Sequence, residues 1–213
     1  MEKYLIRRSA SGLIGAAFLA LALNQGRNGL LSPFIFYFLL SGFPILLPTL
    51  WRNCGWLGPV RHRFLAARNE VWLTIDDGPN PHETPAILDV LSEHQAKATF
   101  FVVGKNVARW PHLARMIVER GHSIQNHTFH HRSATFWAAT PPVVRREIAL
   151  CNEAIFAATG TTPTQFRAPV GMANPFVHAE VEKVGLDMIG WSASGNDGVA
   201  HDPAKVLKKI LRG

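Results

Sequence analysis

The sequence is poor in cysteine and has no internal repeat or low-complexity tract. Cys54 and Cys151 are its only thiols, and they lie far apart in the chain. Two cysteines cannot form the disulfide framework of a small secreted domain, so both are interpreted as ordinary thiols. With 213 residues, the chain is long enough for one substantial domain and an additional segment.

Charge is missing from two stretches near the N-terminus, residues 10–23 and 29–51. The first, with 14 residues, is short for a membrane span. The second, with 23 residues, can cross a bilayer, because bilayer helices tolerate prolines such as its three. Basic residues flank both stretches, as is typical of a membrane anchor. We therefore predict an anchor of one or two helices over residues 1–51, although residues 1–24 also have the features of a signal peptide.

Residues 71–213, which are most of the chain, have almost no excess of basic over acidic residues. Residues 1–70 contain eight Lys or Arg and two Glu, and residues 71–213 contain the other 14 basic and 13 acidic residues. The second part therefore carries only +1 of the formal net charge of +7. Phosphate binding needs clustered cations, so this composition excludes nucleic acid as a partner.

After a predicted juxtamembrane linker over residues 52–69, strand and helix patterns alternate through a single domain over residues 70–213. The predicted strands are 70–75, 98–103, 122–126, 164–168 and 187–192, and the predicted helices are 85–95, 106–120, 141–159, 175–184 and 203–211. Several helices begin with a capping residue and then proline, as in Asn174-Pro175. This alternation predicts an α/β fold with a parallel sheet, either open or closed into a barrel.

Reactive polar side chains follow four of the predicted strands. They are Asp76 and Asp77 after the first, His127 and His131 after the third, Arg167 at the end of the fourth and Asp197 after the fifth. Active sites of α/β folds lie at the carboxyl ends of the strands. The sequence therefore predicts one site that contains all of these residues.

The histidine pair and the aspartates provide the ligand types of a metal site. His127 and His131 are four residues apart, and on a helical turn both rings would face the same ion. A solvated helix face is the simpler interpretation of that spacing, and His130 leaves the identity of the ligand pair open. Two imidazoles and one carboxylate form the three-ligand site of catalytic zinc. One of the two adjacent aspartates can bind the ion, and the other can act as a base.

Four segments resemble the motifs of the polysaccharide deacetylases, the NodB-like group of carbohydrate esterase family 4. They are TIDDGPN, NHTFHH, FRAPVG and, in part, WSASGND. The resemblance extends from about residue 70 to the end of the chain. It implies a distorted (β/α) barrel that removes an N-acetyl or N-formyl group from an amino sugar. It also implies that Asp77, His127 and His131 bind a divalent metal, for which Zn²⁺ is expected.

The resemblance also implies roles around the metal. Asp76 would be the general base that activates the attacking water, and Arg167 would hold Asp76 in place. In the third motif, the backbone amide of Val170, next to Pro169, would stabilise the oxyanion near the substrate. Asp197 would orient the catalytic acid, which protonates the departing amine.

Three features depart from the family pattern. Val170 stands where an aromatic residue is frequent, and Gly198 stands where tryptophan is common. The fifth motif, a Leu-x-His strand that carries the catalytic acid, does not occur before the chain stops at Gly213. We therefore expect a domain that is truncated before its last motif and lacks the catalytic acid. The alternative is a carbohydrate-binding pseudoenzyme or scaffold domain.

The expected partners are the membrane and an amino-sugar glycan, either a polysaccharide, an oligosaccharide or a lipid-linked saccharide. The expected location is the inner membrane of a bacterium, where the N-terminus anchors the chain. One span would put the domain in the periplasm, whereas two would return it to the side of the N-terminus. Lys3, Arg7 and Arg8 favour the cytoplasm for that side.

Overall fold

Five parallel strands form one sheet in this computed structural model, which describes residues 2–65, 70–195 and 202–212. The strands are β1 (Thr74–Ile75), β2 (Thr99–Val102), β3 (Ser123–Asn126), β4 (Gln165–Phe166) and β5 (Asp187–Met188). Their order in the sheet, β1-β2-β3-β4-β5, is also their order in the chain. The predicted α/β fold with a parallel sheet is confirmed. The regular strands are shorter than predicted, because ladder pairing covers only part of each extended segment.

Helices connect consecutive strands and also form both ends of the described chain. They are α1 (Glu2–Arg27), α2 (Leu31–Leu50), α3 (Glu83–Glu93), α4 (Gly104–Arg109), α5 (Pro111–Glu119), α6 (Pro141–Thr159), α7 (Pro175–Lys183) and α8 (Pro203–Ile210). Two short 3₁₀ turns cover Phe136–Ala138 and Pro169–Gly171. The predicted cap of α7 is confirmed, because the Asn174 side chain accepts hydrogen bonds from the amides of Phe176 and Val177.

The prediction of one helix over residues 106–120 was wrong, because the structure has two. α4 ends at Arg109 and α5 begins at Pro111, while Trp110 between them has φ −131° and ψ 63°. Proline has no amide hydrogen to continue the helical ladder, and its ring disfavours helical torsions in the preceding residue. The proline therefore starts a new helix instead of continuing the old one.

Buried side chains of the sheet pack against the connecting helices in two clusters. The first joins Phe100, Val102 and Ile124 of β2 and β3 to residues that include Leu88 of α3 and Ile117 of α5. The second joins Phe166 and Met188 of β4 and β5 to residues that include Ile148 of α6 and Val177 of α7. Burial of such side chains contributes about 1.5–3 kcal/mol each. Both clusters hold the sheet in place beneath the polar loops at its carboxyl edge.

Residues 52–65, within the predicted linker, contain a segment that pairs with the sheet. Arg61 forms a parallel bridge with Ile189, just after β5. The Arg61 amide donates to the carbonyl of Met188, and the Gly190 amide donates to the carbonyl of Arg61, both at 2.9 Å. These hydrogen bonds give the outer edge of β5 a backbone partner. The segment thus extends the sheet as well as connecting α2 to it.

α1 and α2 pack against each other as an antiparallel pair. Phe18 stacks on Tyr37, with ring centroids 6.3 Å apart. Gly15 approaches α2 so closely that a Cβ atom there would lie 2.5 Å from the carbonyl oxygen of Ser41, and small residues commonly permit such contact between apolar helices. Both helices are long and apolar enough to cross a membrane. α1 is longer than the uncharged run within it, and α2 continues through Pro44 and Pro48.

Candidate active site

The sheet brings most of the predicted site residues to one edge. Asp76 and Asp77 follow β1, His127 follows β3 and Arg167 follows β4. The strands are parallel, so these carboxyl ends meet at the same edge of the sheet. Asp197 lies outside the described residues.

Asp77, His127 and His131 form a cluster of side chains that can bind a metal ion. The Oδ1 atom of Asp77 lies 3.1 Å from Nε2 of His131 and 3.6 Å from Nε2 of His127. Ligand atoms about 2.0–2.2 Å from a tetrahedral zinc ion would lie roughly 3.3–3.6 Å from one another. Both the donor types and their spacing therefore fit a divalent ion. The Asp77 side chain is 68% exposed, so the cluster is open to solvent.

The histidine pair converges through a loop and not on the helical turn that the four-residue spacing suggested. Residues 127–131 follow β3 outside any helix, and Thr128 and His131 have φ values of 66° and 51°. These left-handed residues turn the loop so that the rings of His127 and His131 lie 4.6 Å apart. The Thr128 amide donates to Oδ1 of Asn126 at 2.8 Å, and its hydroxyl accepts from the His131 amide at 3.1 Å. A β-branched residue at positive φ is rare, so spacing alone could not predict this path.

His127 is held in the tautomer that a ligand requires. It is buried, and its Nδ1–H donates to the carbonyl oxygen of Arg167 at 2.7 Å. That hydrogen bond leaves the lone pair of Nε2 facing Asp77 and His131. Burial, together with the nearby His131, lowers the pKa of His127 to about 3. The ring is therefore neutral at physiological pH and can donate its lone pair.

His130, the alternative ligand, faces Glu147 of α6 instead of Asp77. Its Nδ1 atom lies 2.7 Å from Oε1 of Glu147, and its backbone amide donates to Oε2 at 2.8 Å. The Glu147 side chain is only 4% exposed, and it holds the backbone one residue before His131. Sequence reasoning missed this residue, although a signal exists: it lies at helical spacing from the apolar Val144 and Cys151 on the buried face of α6.

We expect Glu147→Gln to weaken zinc binding by about 10–100-fold, the usual cost of losing a group that orients a ligand. A neutral amide cannot offer two acceptor oxygens to the ring and the amide of His130. Isothermal titration of the metal-free protein with Zn²⁺ measures this effect. Glu153→Gln is the matched control, because Glu153 is exposed on the same helix. Equal zinc affinities in the two variants would contradict a role of Glu147 in positioning His131.

The start of α4 holds both ligand loops. Backbone amides of Val103, Gly104 and Lys105 donate to the carbonyls of Gly78, Thr128 and Phe129, respectively, at 2.8–3.0 Å. The Asn106 side chain adds a hydrogen bond of 3.0 Å to the carbonyl of Asp77. A Cβ atom on Gly104 would lie 2.5 Å from the ring of Phe129, so glycine permits this close approach. One short helix thus fixes the loop of Asp77 relative to the loop of the histidines.

Asp76 is held by Arg167, as the resemblance to the deacetylases implies. Nη1 of Arg167 donates a hydrogen bond of 2.6 Å to Oδ1 of Asp76 and a second, of 2.9 Å, to the hydroxyl of Thr74. Nη2 donates to the carbonyl of Gly190 at 2.9 Å. Arg167 is buried, and its guanidinium carbon lies 4.1 Å from the centre of the Phe101 ring. Burial lowers the pKa of Arg167 and Asp76 opposes that shift, but arginine remains protonated in proteins. A fixed positive charge therefore orients the Asp76 carboxylate beside the histidine cluster.

The loop after β4 contains Pro169 and Val170 within a 3₁₀ turn. Val170 has φ 51° and ψ 14°, a left-handed conformation that costs about 1–2 kcal/mol for a residue with a Cβ atom. Asp77, Thr128 and His131 also have positive φ. Such strain persists where the surrounding structure enforces it, and it concentrates at functional sites. These four residues lie at the same edge of the sheet as the metal-ligand cluster, whereas Gln95, which also has positive φ, follows α3 and precedes β2.

An open groove of about 330 Å³ lies beside the two aspartates. Its lining includes Asn80, Asn106 and Trp110, besides Asp76 and Asp77. Two carboxamides and an indole provide hydrogen-bonding groups and a flat apolar face. This combination suits a polar ring-shaped ligand that has one apolar face.

Comparison with known proteins identifies the class that has this fold and site. The family model described as polysaccharide deacetylase matches residues 66–189. The chain therefore belongs to the polysaccharide deacetylases, the NodB-like group of carbohydrate esterase family 4. The resemblance that the four motifs indicate is confirmed.

Two bacterial deacetylases are similar to this chain in sequence. A chitooligosaccharide deacetylase from Bradyrhizobium is 36% identical over 148 residues, which are 69% of this chain and 67% of that protein. The peptidoglycan-N-acetylglucosamine deacetylase PgdA of Listeria monocytogenes is 38% identical over 141 residues, which are 66% of this chain. This match spans only 29% of PgdA.

A solved structure also resembles this one. It is the wild-type form of a family 4 pseudoenzyme from Bacillus anthracis, which is 26% identical, with a TM-score of 0.65 over 71% of this chain and 53% of that chain. The likeness supports the fold independently of the sequence motifs. It also shows that an inactive relative can share the fold.

Proposed function

We propose that this protein is a metal-dependent hydrolase that removes an N-acetyl or N-formyl group from an amino sugar. The observation that carries the proposal is the joint placement of two groups at one sheet edge. The cluster of Asp77, His127 and His131 can hold a divalent ion, for which we propose Zn²⁺, and Asp76 lies beside it in a fixed orientation. The sequential strand order is that of a (β/α) barrel, and the proposed fold is a distorted barrel of this type.

The chemistry divides between the ion and the side chains. A divalent ion at this cluster would polarise the amide carbonyl and acidify water. Asp76 accepts the proton of the attacking water, while Arg167 keeps its carboxylate oriented. The amide of Val170, beside Pro169, donates a hydrogen bond to the oxyanion that forms as the water adds to the carbonyl carbon. The departing nitrogen must also take a proton, and we propose that Asp197 would orient the acid that supplies it. Because the Leu-x-His motif that would carry this acid does not occur in this sequence, water supplies the proton here, and the products are the free amine and a carboxylate.

The groove beside the aspartates is the proposed sugar site. Asn80 and Asn106 offer donors and acceptors to hydroxyl groups, and Trp110 offers a flat apolar face to the ring. The two deacetylases reported above act on chitooligosaccharides and on peptidoglycan N-acetylglucosamine, according to their names. We therefore propose an amino-sugar glycan as the substrate class and no nucleic acid partner.

We propose that α1 and α2 anchor the protein in the inner membrane of a bacterium. They are long and apolar enough to span it, and their large apolar side chains are mostly exposed. Two spans return the chain to the side of the N-terminus. Because Lys3, Arg7 and Arg8 favour the cytoplasm for that side, we place the deacetylase domain in the cytoplasm.

A second candidate function is a carbohydrate-binding pseudoenzyme. The observation that favours it is the similarity to the Bacillus anthracis pseudoenzyme. Against it stands the complete set of metal-ligand side chains, together with the ion pair between Asp76 and Arg167. A binding module needs no oriented base beside a metal site, so the deacetylase is the preferred proposal.

Acetate release tests the two functions. We expect the full chain, purified in detergent and loaded with zinc, to release acetate from tetra-N-acetylchitotetraose slowly, about 10²–10⁴-fold below a form that carries the Leu-x-His acid, because general acid catalysis contributes about that factor. Chelation with EDTA should abolish the release, and added Zn²⁺ should restore it, because hydrolysis of an unactivated amide requires the ion. A zinc-loaded protein that binds the sugar without releasing acetate would support the pseudoenzyme instead.

A further inference from the structure

Asn53 connects the apolar hairpin of α1 and α2 directly to the active-site edge of the sheet. Its backbone amide donates to the carbonyl of Gly171 at 2.9 Å, and its side-chain amide donates to the carbonyl of Trp191 at 3.1 Å. Gly171 follows β4 in the strained loop of Val170, and Trp191 follows β5. The contact is therefore made at the carboxyl ends of the strands, where the metal-ligand cluster also lies.

The contacts of Asn53 bring the end of the hairpin close to the active site. A Cβ atom on Gly190 would lie 2.6 Å from Oδ1 of Asn53, so the Asn53 side chain packs directly against that backbone. The carbonyl of the same Gly190 accepts a hydrogen bond from Arg167, which holds Asp76. α2 ends at Leu50, three residues before Asn53, and three residues span at most about 11 Å. The rim of the active site is therefore close to the end of an apolar helix.

Basic and aromatic side chains gather at this end of the hairpin. The guanidinium of Arg7 lies 4.8 Å from the centre of the Trp56 ring, and Arg8 donates through Nε to the carbonyl of Leu57. The indole of Trp56 donates to the hydroxyl of Ser11 at 3.1 Å. These contacts bring the start of α1 to the segment that follows α2, where Arg52 is exposed beside Asn53. Guanidinium groups bind phosphate with several donors, and indole rings favour the headgroup level of a membrane.

The cations at this end have no acidic partners among the residues that the structure describes. Within residues 2–65, 70–195 and 202–212, the ion pairs involve neither Arg7, Arg8 nor Arg52. Arg27, by contrast, lies at the far end of α1, away from the deacetylase domain. A soluble neutral glycan has no anionic group that needs such cations. A sugar that is linked to a membrane lipid through a phosphate does have an anionic group, and that phosphate would lie at the level of these side chains.

We propose that the amino sugar reaches this site attached through a phosphate or diphosphate to a membrane lipid, and that Arg7 and Arg52 bind that phosphate. The inference rests on the proposed deacetylase function and narrows its substrate class. The lipid tail remains in the bilayer beside the hairpin, and the sugar extends over Asn53 toward Asp76. The site thus acts on a saccharide at the membrane surface rather than on a free polysaccharide.

The test compares two substrates that carry the same sugar. The full chain is placed in phosphatidylcholine nanodiscs with N-acetylglucosaminyl diphospho-undecaprenol in the disc or tetra-N-acetylchitotetraose in solution. We expect kcat/KM for acetate release to be at least about tenfold higher for the lipid-linked sugar, since a charge-assisted hydrogen bond contributes at least that factor. The double variant Arg7→Gln, Arg52→Gln should lower that kcat/KM by about tenfold or more. Arg27→Gln is the matched control and should leave kcat/KM for the lipid-linked sugar unchanged.

Binding measurements in the same discs separate the failure of this inference from the failure of the deacetylase proposal. If neither substrate releases acetate, but the lipid-linked sugar binds and the double variant weakens its binding, the deacetylase proposal fails and this inference stands. Equal or faster release from chitotetraose would leave the deacetylase standing and overturn the inference. Failure to bind the lipid-linked sugar would overturn it as well. Equally tight binding of phosphatidylglycerol would also overturn it, because the cations would then serve the lipid surface alone.

Discussion

Replacing Asp76 with asparagine is expected to lower kcat for acetate release by about 10²–10⁴-fold, which corresponds to about 3–5 kcal/mol of activation free energy. The amide cannot accept the proton of the attacking water, although it preserves the shape of the side chain. The variant should still bind one divalent ion per chain, because Asp77, His127 and His131 supply the ligand atoms. Steady-state kinetics and metal analysis of the same preparation measure both quantities.

The matched control for this variant is Asp89→Asn, because Asp89 forms an ion pair with Arg120 at the surface. Exposed pairs contribute only about 0–1 kcal/mol to stability, and Asp89 lies outside the cluster and the groove. If Asp76→Asn lost its metal as Asp77→Asn is expected to do, the two adjacent aspartates would have exchanged roles. Unchanged turnover would mean that another group accepts the proton.

Replacing either histidine of the cluster should remove the metal and with it the activity. Loss of a group that merely orients a ligand weakens binding about 10–100-fold, so loss of a ligand in His131→Ala should weaken zinc affinity by at least about 100-fold. His127→Ala should do the same, and it also removes a buried ring that donates to the Arg167 carbonyl. Zinc content after dialysis and the dissociation constant from titration are the measurements.

Folding defects must be separated from ligand loss. His131 is the better probe, because its side chain is 21% exposed and its removal disturbs little of the core. His94→Ala is the matched control, since His94 is an exposed residue at the end of α3. Thermal unfolding of the metal-free proteins should therefore be similar for the wild type and for His131→Ala. Zinc content equal to that of the wild type in His127→Ala and His131→Ala would refute the cluster as the metal site.

Local chemistry made several elements predictable from the sequence. The cap of α7 follows from Asn174 before Pro175, and the left-handed end of α6 follows from Gly160 with φ 69°. Arg167 and Asp76 are far apart in sequence, yet their placement at one edge was predictable, because side chains that follow parallel strands meet there. The resemblance to the deacetylases then implied the contact between them, which the structure contains. In that case the topology of a parallel sheet, and not a local sequence pattern, brought the two residues to one edge.

Other features depend on contacts that no local pattern encodes. The loop from His127 to His131 is shaped by amides of α4 and by the Glu147 carboxylate, so a four-residue spacing was a poor guide to its conformation. Asn53 gave no signal, because its partners Gly171 and Trp191 lie more than a hundred residues later. The sequence therefore predicted that Asp76, Asp77, His127, His131 and Arg167 follow strands at one edge of the sheet. It did not predict the contacts of Glu147 and Asn53 at that edge.

The pairing of Arg61 with Ile189 bears on the order in which the chain folds during synthesis. Every strand from β2 to β5 pairs with the strand just before it, so each can join the growing sheet soon after it leaves the ribosome. The segment around Arg61 has to wait, because its partner follows β5. If the hairpin enters the membrane as it emerges, the ribosome still has most of the domain to make. The nascent sheet would then assemble next to the bilayer, and the pairing of Arg61 with Ile189 would draw the active-site edge of β1 to β5 onto the membrane surface.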